Sequence, residues 1–393
     1  MNLRSVVELR RKLHGKRVIV RVDFNVPMRN MGEILDDFRI RRALPTIEFL
    51  LKNRARVIIL SHLSRPSLQT RSKFRLDDVS QRLSELLGRR VLYIPDVVGK
   101  KAMKAVQALQ DSEILVLENL RFYRGETKND SDFAKKLASF GDYYVNEAFS
   151  NCHRKHASMV GIPKYLPSFA GMDLLQEVKL VEKMLVKPKK PSLAIVGGAK
   201  ISSKLPVLKK LIKRFDAVIV GGGIANTLLL ASGKKTGRSL VETKMVDSLR
   251  ALVKNKKLLL PFDYVCAREI HKKSKAKICN ADSLDKYDRI VDIGPETIRL
   301  YLELISQAKM IVWAGPMGVY EIQQFSAGSE MIAQAVAESK EFTLVGGGDT
   351  IDCIDRFSDK KNFTHVSTGG SALLEFIAKE KLVALRPLMK KSI

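Results

Sequence analysis

Short apolar runs rich in β-branched residues recur along this chain, and each is followed by a longer stretch with helical periodicity. The runs lie at residues 17–22, 56–60, 114–117, 142–145, 192–196, 217–220, 309–313, 342–345 and 365–367. A continuous apolar run is typical of a parallel strand that is buried on both faces by helices. The pattern therefore predicts an α/β protein with doubly wound, Rossmann-like parallel sheets.

A basic segment with two prolines divides the chain near its middle. Residues 187–191 read Lys-Pro-Lys-Lys-Pro and separate a helical pattern at 174–186 from the next apolar run. With 393 residues, the chain is long enough for two or three domains of ordinary size. We predict two doubly wound domains, at 1–173 and 191–377, joined by a hinge helix and linker at 174–190.

The chain is strongly basic, with 69 Lys and Arg, 42 Asp and Glu, and a formal net charge of +27. Such a charge can attract nucleic acid, an anionic membrane surface or a small polyanion, and its size alone does not choose among them. Aromatic residues make up 7% of the chain and no nucleic-acid-binding motif is recognised, so no specific nucleic-acid partner is predicted. The four cysteines form no C-x-x-C pair, which disfavours a disulfide scaffold or a zinc ribbon.

The sequence also bears on location. The longest uncharged stretch, at 217–233, is shorter than the ~20 apolar residues of a membrane span and is interrupted by glycines. Residues 1–17 are basic and loosely amphipathic, like a transit peptide, but they contain Glu8 and lack an apolar signal core. We therefore expect a folded N-terminal helix, no membrane association and a cytoplasmic protein.

The residues that follow the strands predict where ligands bind, because open α/β sheets bind ligands beyond the carboxyl ends of their strands. In the first half these residues are basic and polar; they lie at 23–25, 61–66, 118–121, 146–149 and 153–156, and Arg39 joins them. A guanidinium group matches phosphate and carboxylate oxygens, so a small-anion site is predicted. His153 and His156 have a spacing seen in metal sites, but no third ligand is near, and a metal is disfavoured.

In the second half, the strands are followed by glycine-rich turns at 197–198, 221–223, 315–318, 346–350 and 368–371. Glycine allows close approach of the backbone, and helix N-termini offer free N–H groups to phosphates. Lys200 and Lys204, four residues apart at a helix start, can both face such a phosphate, and Asp349 offers an oxygen ligand to Mg²⁺. The P-loop and G-x-G-x-x-G motifs are missing, so the sequence predicts a nucleotide site of another kind.

A series of ordered segments makes the chain recognisable. They read RVDFNVP, DDFRIRRALPTI, SHLSRP, LENLRF, HRKHAS, GGAKISSK, GGGIANT, GPMGVYE, GGGDT and STGGSA. The chain resembles the phosphoglycerate kinase family from end to end. The resemblance implies reversible phosphoryl transfer between 1,3-bisphosphoglycerate with ADP and 3-phosphoglycerate with ATP, in glycolysis and gluconeogenesis. It also implies in-line transfer after hinge closure, a monomer, and a C-terminal segment at 378–393 that returns to the first domain.

The resemblance assigns one substrate to each domain. The residues that would hold the phosphoglycerate are Asp23, Phe24, Asn25, Arg39, His62, Leu63, Ser64, Arg65, Arg121 and Arg154. Those that would hold ATP or ADP are Gly198, Lys200, Lys204, Gly221, Gly222, Gly223, Pro316, Val319, Glu321, Gly347, Gly348, Asp349 and Thr350. Glu321 would bind the ribose and Asp349 the Mg²⁺ ion. The groups expected to stabilise the transferred phosphoryl group are Arg39, Lys200, Lys204 and the backbone N–H groups of Gly370 and Ser371.

Four positions depart from the usual family pattern. Ala314 stands where the family has Asn, and Ser64, Ser150 and Ser371 stand where it has Gly. Ala314 removes a polar side chain near the expected phosphate route, whereas Ser371 keeps its backbone N–H and adds a hydroxyl at a predicted helix start. We expect activity to be retained, with a turnover equal to or lower than that of the usual pattern.

Two other functions remain open at this point. A nucleic-acid-binding protein that kept the fold and lost catalysis is supported only by the net charge. A different small-molecule kinase would require loss of the anion-binding set, which includes Arg39 and His62 and is intact.

Overall fold

The computed structural model describes residues 1–29, 32–280 and 282–390. The chain forms two compact units, one of Met1–Glu182 with the residues from Lys379 onward, and the other of Lys183–Ala378. Residues 391–393, the end of the segment expected to return to the first domain, lie outside the described residues. Before them, the N–H of Ala384 donates to the carbonyl of Cys152 at 3.0 Å, within the first unit.

The first unit is built on a six-stranded parallel sheet. Its strands are β1 (Arg17–Arg21), β2 (Arg56–Leu60), β3 (Leu92–Ile94), β4 (Ile114–Leu117), β5 (Tyr143–Asn146) and β6 (Ser168–Ala170). They lie in the order β3-β4-β2-β1-β5-β6, and every adjacent pair is parallel. The chain thus runs outward from β1 in both directions, which is the doubly wound arrangement.

Helices cover both faces of this sheet. They are α1 (Phe38–Lys52), α2 (Asp77–Leu87), α3 (Lys100–Ala108), α4 (Arg124–Lys128), α5 (Ser131–Ala138) and α6 (Met172–Val186). Val57 and Val116 pack in one buried cluster with residues of α1 and α2, while Ile58 and Leu115 pack in another with residues of α3 and α5. Alternate residues of the same strands thus fill two cores, which explains why the strands read as unbroken apolar runs.

The second unit contains a second six-stranded parallel sheet and a small antiparallel one. Its strands are β7 (Ser192–Val196), β8 (Ala217–Val220), β9 (Leu258–Leu259), β10 (Asp263–Ala267), β11 (Lys277–Asn280), β12 (Arg289–Ile293), β13 (Met310–Ala314), β14 (Phe342–Gly346) and β15 (His365–Ser367). The parallel sheet has the order β15-β14-β13-β7-β8-β9, and the antiparallel sheet has the order β11-β10-β12.

The second unit contains seven α-helices among its described residues, and they alternate along the chain with its strands and short 3₁₀ helices. They are α7 (Ile201–Arg214), α8 (Gly222–Ala231), α9 (Val246–Leu249), α10 (Pro295–Gln307), α11 (Ala327–Glu338), α12 (Gly348–Phe357) and α13 (Ser371–Lys379). Several begin directly after a strand of the parallel sheet, so their N-terminal N–H groups lie at its carboxyl edge. In the described parts of the chain, no helix combines the length and the apolar character of a membrane span.

The predicted α/β fold class is confirmed, and every predicted strand is present with its ends within about one residue. The short strands β3, β6 and β9 were not predicted, because two or three residues carry no readable period. The antiparallel sheet was also missed, since β11 is mostly exposed and begins with Lys277. The predicted N-terminal helix is a 3₁₀ helix at Val6–Lys12, capped reciprocally by Ser5 and Glu8.

Candidate active site

Asp23, just beyond β1, is the centre of a polar cluster in the first unit. Its Oδ2 atom accepts hydrogen bonds from the Arg39 guanidinium and the Ser150 hydroxyl. Its Oδ1 atom accepts from the N–H of Asn25 at 3.3 Å and lies 3.8 Å from His62 Nδ1. The carboxylate thus connects the first turn of α1 with the loops after β1, β2 and β5. The hydroxyl of Ser150, which stands where the family has Gly, adds one of these bonds.

The charge on Asp23 is held by its neighbours. Burial by itself raises the pKa of this carboxyl, but Arg39, the neighbouring His62 ring, the Ser150 hydrogen bond and the charge of Arg21 lower it to about 2. Asp23 is therefore ionised throughout the physiological pH range.

Asn25 and Arg121 shape the loop after β2 through its backbone. Asn25 Oδ1 accepts from the N–H of Ser64 at 2.6 Å, and the Arg121 guanidinium donates to the carbonyl of Ser64. Asn119 donates from Nδ2 to the carbonyls of Leu63 and Phe74, each at 2.8 Å. Ser64 has a φ of +57°, in the left-handed region that favours glycine. This conformation is the physical reason for the glycine of the family pattern.

The cationic residues of this cluster lack enough carboxylates to balance them. Burial, together with the charges of Arg154, Arg21 and Arg65, lowers the pKa of Arg121 to about 10. Burial and the charge of Arg65 also lower the pKa of Arg154. Among the described residues, the buried Nε atom of Arg154 has no hydrogen-bond partner. Crowded guanidinium groups with an unused donor form a site prepared for an anion.

Two of the residues predicted to bind phosphoglycerate are apolar and have buried side chains. Phe24 and Leu63 belong to the apolar core between the sheet and α1, with at most 1% of their surface exposed. Their side chains therefore pack in the core, and only their backbone is available to a ligand. The sequence analysis assigned no role to Arg21 at the end of β1. A charged residue that directly follows three apolar strand residues could have indicated a buried polar contact at this position.

A cavity of about 620 Å³ lies at the carboxyl edge of the parallel sheet in the second unit. Of the residues predicted to hold the nucleotide, its lining includes Gly198, Gly222, Gly223, Pro316, Val319, Glu321 and Asp349. It also includes residues that were not predicted, among them Asn226, Arg238, Leu240, Ile270, Arg289, Ile290 and Val291. This volume lies within the range of small-molecule sites. Apart from Asn226, which lies just after the turn at 221–223, these residues follow no glycine-rich turn, so the glycine pattern did not predict them.

Lys200, Lys204, Gly221, Gly347, Gly348 and Thr350 are not part of the cavity lining. Lys200 is exposed and directly precedes α7, while Gly348 begins α12. Thr350 is buried, and its hydroxyl accepts from the N–H of Gly315 at 2.7 Å and donates to the carbonyl of Gly346 at 3.0 Å. Thr350 thus joins the loop after β13 to the end of β14. Gly370 and Ser371 lie at the start of α13.

The glycines of the second unit serve two different purposes. A Cβ atom on Gly223 would lie 2.3 Å from the carbonyl oxygen of Ala199, so this glycine lets the turns after β7 and β8 pack together. A Cβ atom on Gly348 would meet nothing within 4 Å. The sequence pattern predicted that these glycines let the backbone approach a ligand. Close packing between loops explains some of them instead.

Lys204 points its ammonium group at two backbone carbonyls, Gly197 at 2.7 Å and Ala314 at 3.0 Å. Burial lowers the pKa of Lys204 to about 8, although the charge of Asp349 opposes this. Ala314 replaces the Asn of the family pattern, yet it contributes through its carbonyl oxygen, which any residue supplies. The contact between residue 314 and Lys204 is therefore kept.

Asp349 lies in the exposed first turn of α12 and lines the cavity. Within the described ranges, no group of three or more His, Cys, Asp or Glu is placed to hold a metal ion. Mg²⁺ commonly takes one or two carboxylates together with substrate phosphates and waters, so a single exposed carboxylate fits a nucleotide-bound ion.

Comparison with known proteins decides the family. The model of the family described as phosphoglycerate kinase matches residues 8–380. The chain belongs to the phosphoglycerate kinase family. Members of this family are phosphotransferases that use a carboxyl group as acceptor and act on nucleotides, so the family predicted from the ordered motifs is confirmed.

Individual members of the family match over nearly their whole length. Phosphoglycerate kinase from Dictyoglomus turgidum is 43% identical over 398 residues, covering 100% of both chains. The enzyme from Moorella thermoacetica is 44% identical, covering 97% of this chain and 98% of its own. Among solved structures, phosphoglycerate kinase from Coxiella burnetii has 40% identity and a TM-score of 0.86, and that from Pyrococcus horikoshii has 31% and 0.85. Each of these structures covers 98% of both chains.

Ser64→Gly should stabilise the protein. A residue with a Cβ atom in the left-handed region costs about 1–2 kcal/mol, and the greater freedom of glycine in the unfolded chain offsets about 0.5–1 kcal/mol of the relief. We expect a net gain of roughly 0.5–1 kcal/mol in the free energy of unfolding, measured by urea denaturation. The matched control is Ser67→Gly, in the same loop without a positive φ, which should lower stability. A loss of stability in Ser64→Gly would contradict this explanation.

Asp23→Asn should destabilise the protein in a pH-dependent way. The folded pKa of about 2 lies below the reference value of 3.8, so the stabilisation is complete above pH ~4 and disappears as pH falls toward 2. The shift corresponds to about 2 kcal/mol at neutral pH. Urea unfolding of wild type and variant between pH 7 and pH 3 would measure the difference. A difference that does not shrink with falling pH would show that Asp23 acts other than through its charge.

Proposed function

We propose that this protein is a phosphoglycerate kinase, which transfers the γ-phosphoryl group of ATP to the carboxylate of 3-phosphoglycerate and catalyses the reverse reaction from 1,3-bisphosphoglycerate and ADP. This is the activity expected in glycolysis and gluconeogenesis. The observation that carries the proposal is the under-compensated guanidinium cluster around Asp23, in which the arginines and His62 expected from the family motifs are all present. Finer parts of the proposal are a monomeric state, a cytoplasmic location and a requirement for Mg²⁺.

The first unit would attract 3-phosphoglycerate by its positive charge and orient it by hydrogen bonds. The guanidinium groups of Arg65, Arg121 and Arg154 suit the phosphate, and the unused Nε donor of Arg154 supports this assignment. The Asp23 carboxylate repels anionic oxygens but can accept a hydrogen bond from the hydroxyl of the substrate. This contrast would fix which end of the substrate lies near Arg39.

The second unit would bind the nucleotide in its cavity. Leu240 and Val291 offer apolar surface to a base, and Glu321 can accept hydrogen bonds from the ribose hydroxyls. The N-terminus of α12 would face the phosphates with its first backbone N–H groups. In α8 the N–H groups of Gly222 and Ile224 already donate to the carbonyls of Met317 and Gly198. Asp349 would hold Mg²⁺, which supplies charge neutralisation to the phosphate oxygens when bound.

The protein has little covalent work to do in this reaction. The carboxylate of 3-phosphoglycerate attacks without needing a general base, so catalysis rests on positioning and on stabilising the charge of the transferred group. We assign the charge stabilisation to Arg39, Lys200 and Lys204, with the N–H groups of Gly370 and Ser371. Because different units would bind the two substrates, the proposal includes hinge closure that brings them together and excludes water.

Arg39→Ala should lower kcat/KM by about 10²–10³, the usual effect of removing one charge-stabilising donor. ADP formation from ATP and 3-phosphoglycerate, followed in a coupled assay, would measure it. Arg41→Ala is the matched control, because Arg41 lies on the same helix and forms an exposed ion pair with Asp37 at 2.7 Å. The control should keep wild-type activity. Equal activity in Arg39→Ala and wild type would refute the site assignment, and inactivity of the wild type would refute the proposed function.

A further inference from the structure

Arg21, the last residue of β1, has only 1% of its surface exposed. Its Nε atom donates to the Ser158 hydroxyl at 2.9 Å, and one terminal nitrogen donates to the carbonyl of Val22. The other terminal nitrogen lies 3.2 Å from His62 Nδ1. The guanidinium is therefore engaged by the protein from all three nitrogens, so it is poorly placed to bind a ligand directly.

Ser158 connects Arg21 to a buried carboxylate. Its hydroxyl donates to Glu126 Oε1 at 2.6 Å, and its backbone N–H donates to Glu126 Oε2 at 2.9 Å. Glu126 and Ser158 are both completely buried. A serine hydroxyl has one proton, which Ser158 gives to Glu126, so towards Arg21 it can only accept. The direction of each hydrogen bond in this chain of residues is thereby determined.

The same reasoning determines the tautomer of His62. Arginine has no acceptor and keeps its charge, so the contact between Arg21 and His62 requires a lone pair on Nδ1. A proton on Nδ1 would face an arginine N–H at 3.2 Å, and the competing acceptor, Asp23 Oδ1, is 3.8 Å away, beyond hydrogen-bonding distance. The ring proton must then be on Nε2. Within the described part of the chain, no protein acceptor lies within hydrogen-bonding distance of that atom.

The charged groups around His62 keep the ring neutral. Burial and the charge of Arg21 hold the pKa of His62 well below its usual value. The charges of Arg121 and Arg154 act in the same direction, and the charge of Asp23 opposes them. A second positive charge is thus disfavoured at this position.

We propose that Glu126, Ser158 and Arg21 form a buried relay that holds His62 as its neutral Nε2–H tautomer, so that His62 recognises the substrate as a directional hydrogen-bond donor and not as a cation. Arg21 and Ser158 are positioning residues in this arrangement. The part that concerns substrate rests on the proposed function, whereas the tautomer is a property of the free protein. The surrounding guanidinium groups attract any anion. A neutral N–H group binds only an acceptor that lies along its bond direction, so it would also orient the bound substrate.

The tautomer can be observed directly in the free protein. Nitrogen–proton correlation spectra of ¹⁵N-histidine-labelled protein at pH 7 distinguish protonated from unprotonated ring nitrogens, and comparison with His62→Ala identifies the signals of His62. We expect a protonated Nε2 and an unprotonated Nδ1. A proton on Nδ1, or on both nitrogens, would overturn the proposal, and this measurement needs no variant of the relay.

The relay itself is tested at Ser158. Ser158→Ala should alter the His62 tautomer signals and raise KM for 3-phosphoglycerate about tenfold, as expected from loss of one charge-assisted hydrogen bond. KM for ATP should not change. Ser158→Thr retains a hydroxyl and should restore both signals and KM.

Ser168→Ala is the matched control, because Ser168 is also buried but its hydroxyl donates at 2.8 Å to the carbonyl of Leu166, away from His62. It should leave the His62 signals and KM for 3-phosphoglycerate unchanged. If Ser158→Ala also left them unchanged, the relay would be refuted. A wild-type protein that shows the Nε2–H tautomer but no activity with ATP and 3-phosphoglycerate would refute the proposed function and leave the relay standing.

Discussion

The negative charge of Asp23 is the condition on which the first unit's site depends. Five arginines and His62 lie in or beside this cluster, and without a buried carboxylate the mutual repulsion of the arginines would oppose folding. Asp23 binds Arg39 directly and faces His62, and it lies where loops from three strands meet. Asp23 and Glu126, which reaches Arg21 through Ser158, are too few carboxylates to neutralise the cluster, so a net positive charge remains. The balance of charges that allows the unit to fold thus also favours the anion site proposed above.

In the proposed function, the two units would bind phosphate in different ways. The first would use side chains, because guanidinium groups have a fixed planar set of donors that can be held by hydrogen bonds from neighbouring loops. The second would use the backbone as well, since several of its helices start at the carboxyl edge of the sheet and need no side chain to present an N–H group. Gly223 shows the cost of this arrangement, because a side chain there would collide with the turn after β7.

The net charge of +27 has only a partial explanation in these sites. A small number of cationic side chains surround Asp23 or lie beside the nucleotide cavity. Many others are exposed, such as Lys100 and Lys101 at the start of α3 and Lys272 and Lys273 before β11. Exposed positive charges raise the local concentration of anionic substrates, and at about 0.1 M salt this attraction is largely screened beyond about 10 Å.

Much of this protein could be predicted from its sequence. Period and run length predicted the main strands, because burial on both faces requires unbroken apolar residues. Polar residues and glycines at strand ends predicted the two candidate sites, because parallel strands end at the same edge of a sheet. The ordered motifs identified the family. Tertiary structure alone decided which neighbours each group has. It placed Phe24 and Leu63 in the core, gave Ser64 a left-handed backbone, used Gly223 for loop packing and joined Arg21 to Glu126 through Ser158. The physical reason is that hydrogen-bond direction, burial and charge depend on residues far apart in the chain, 137 positions for Arg21 and Ser158, which no local pattern records.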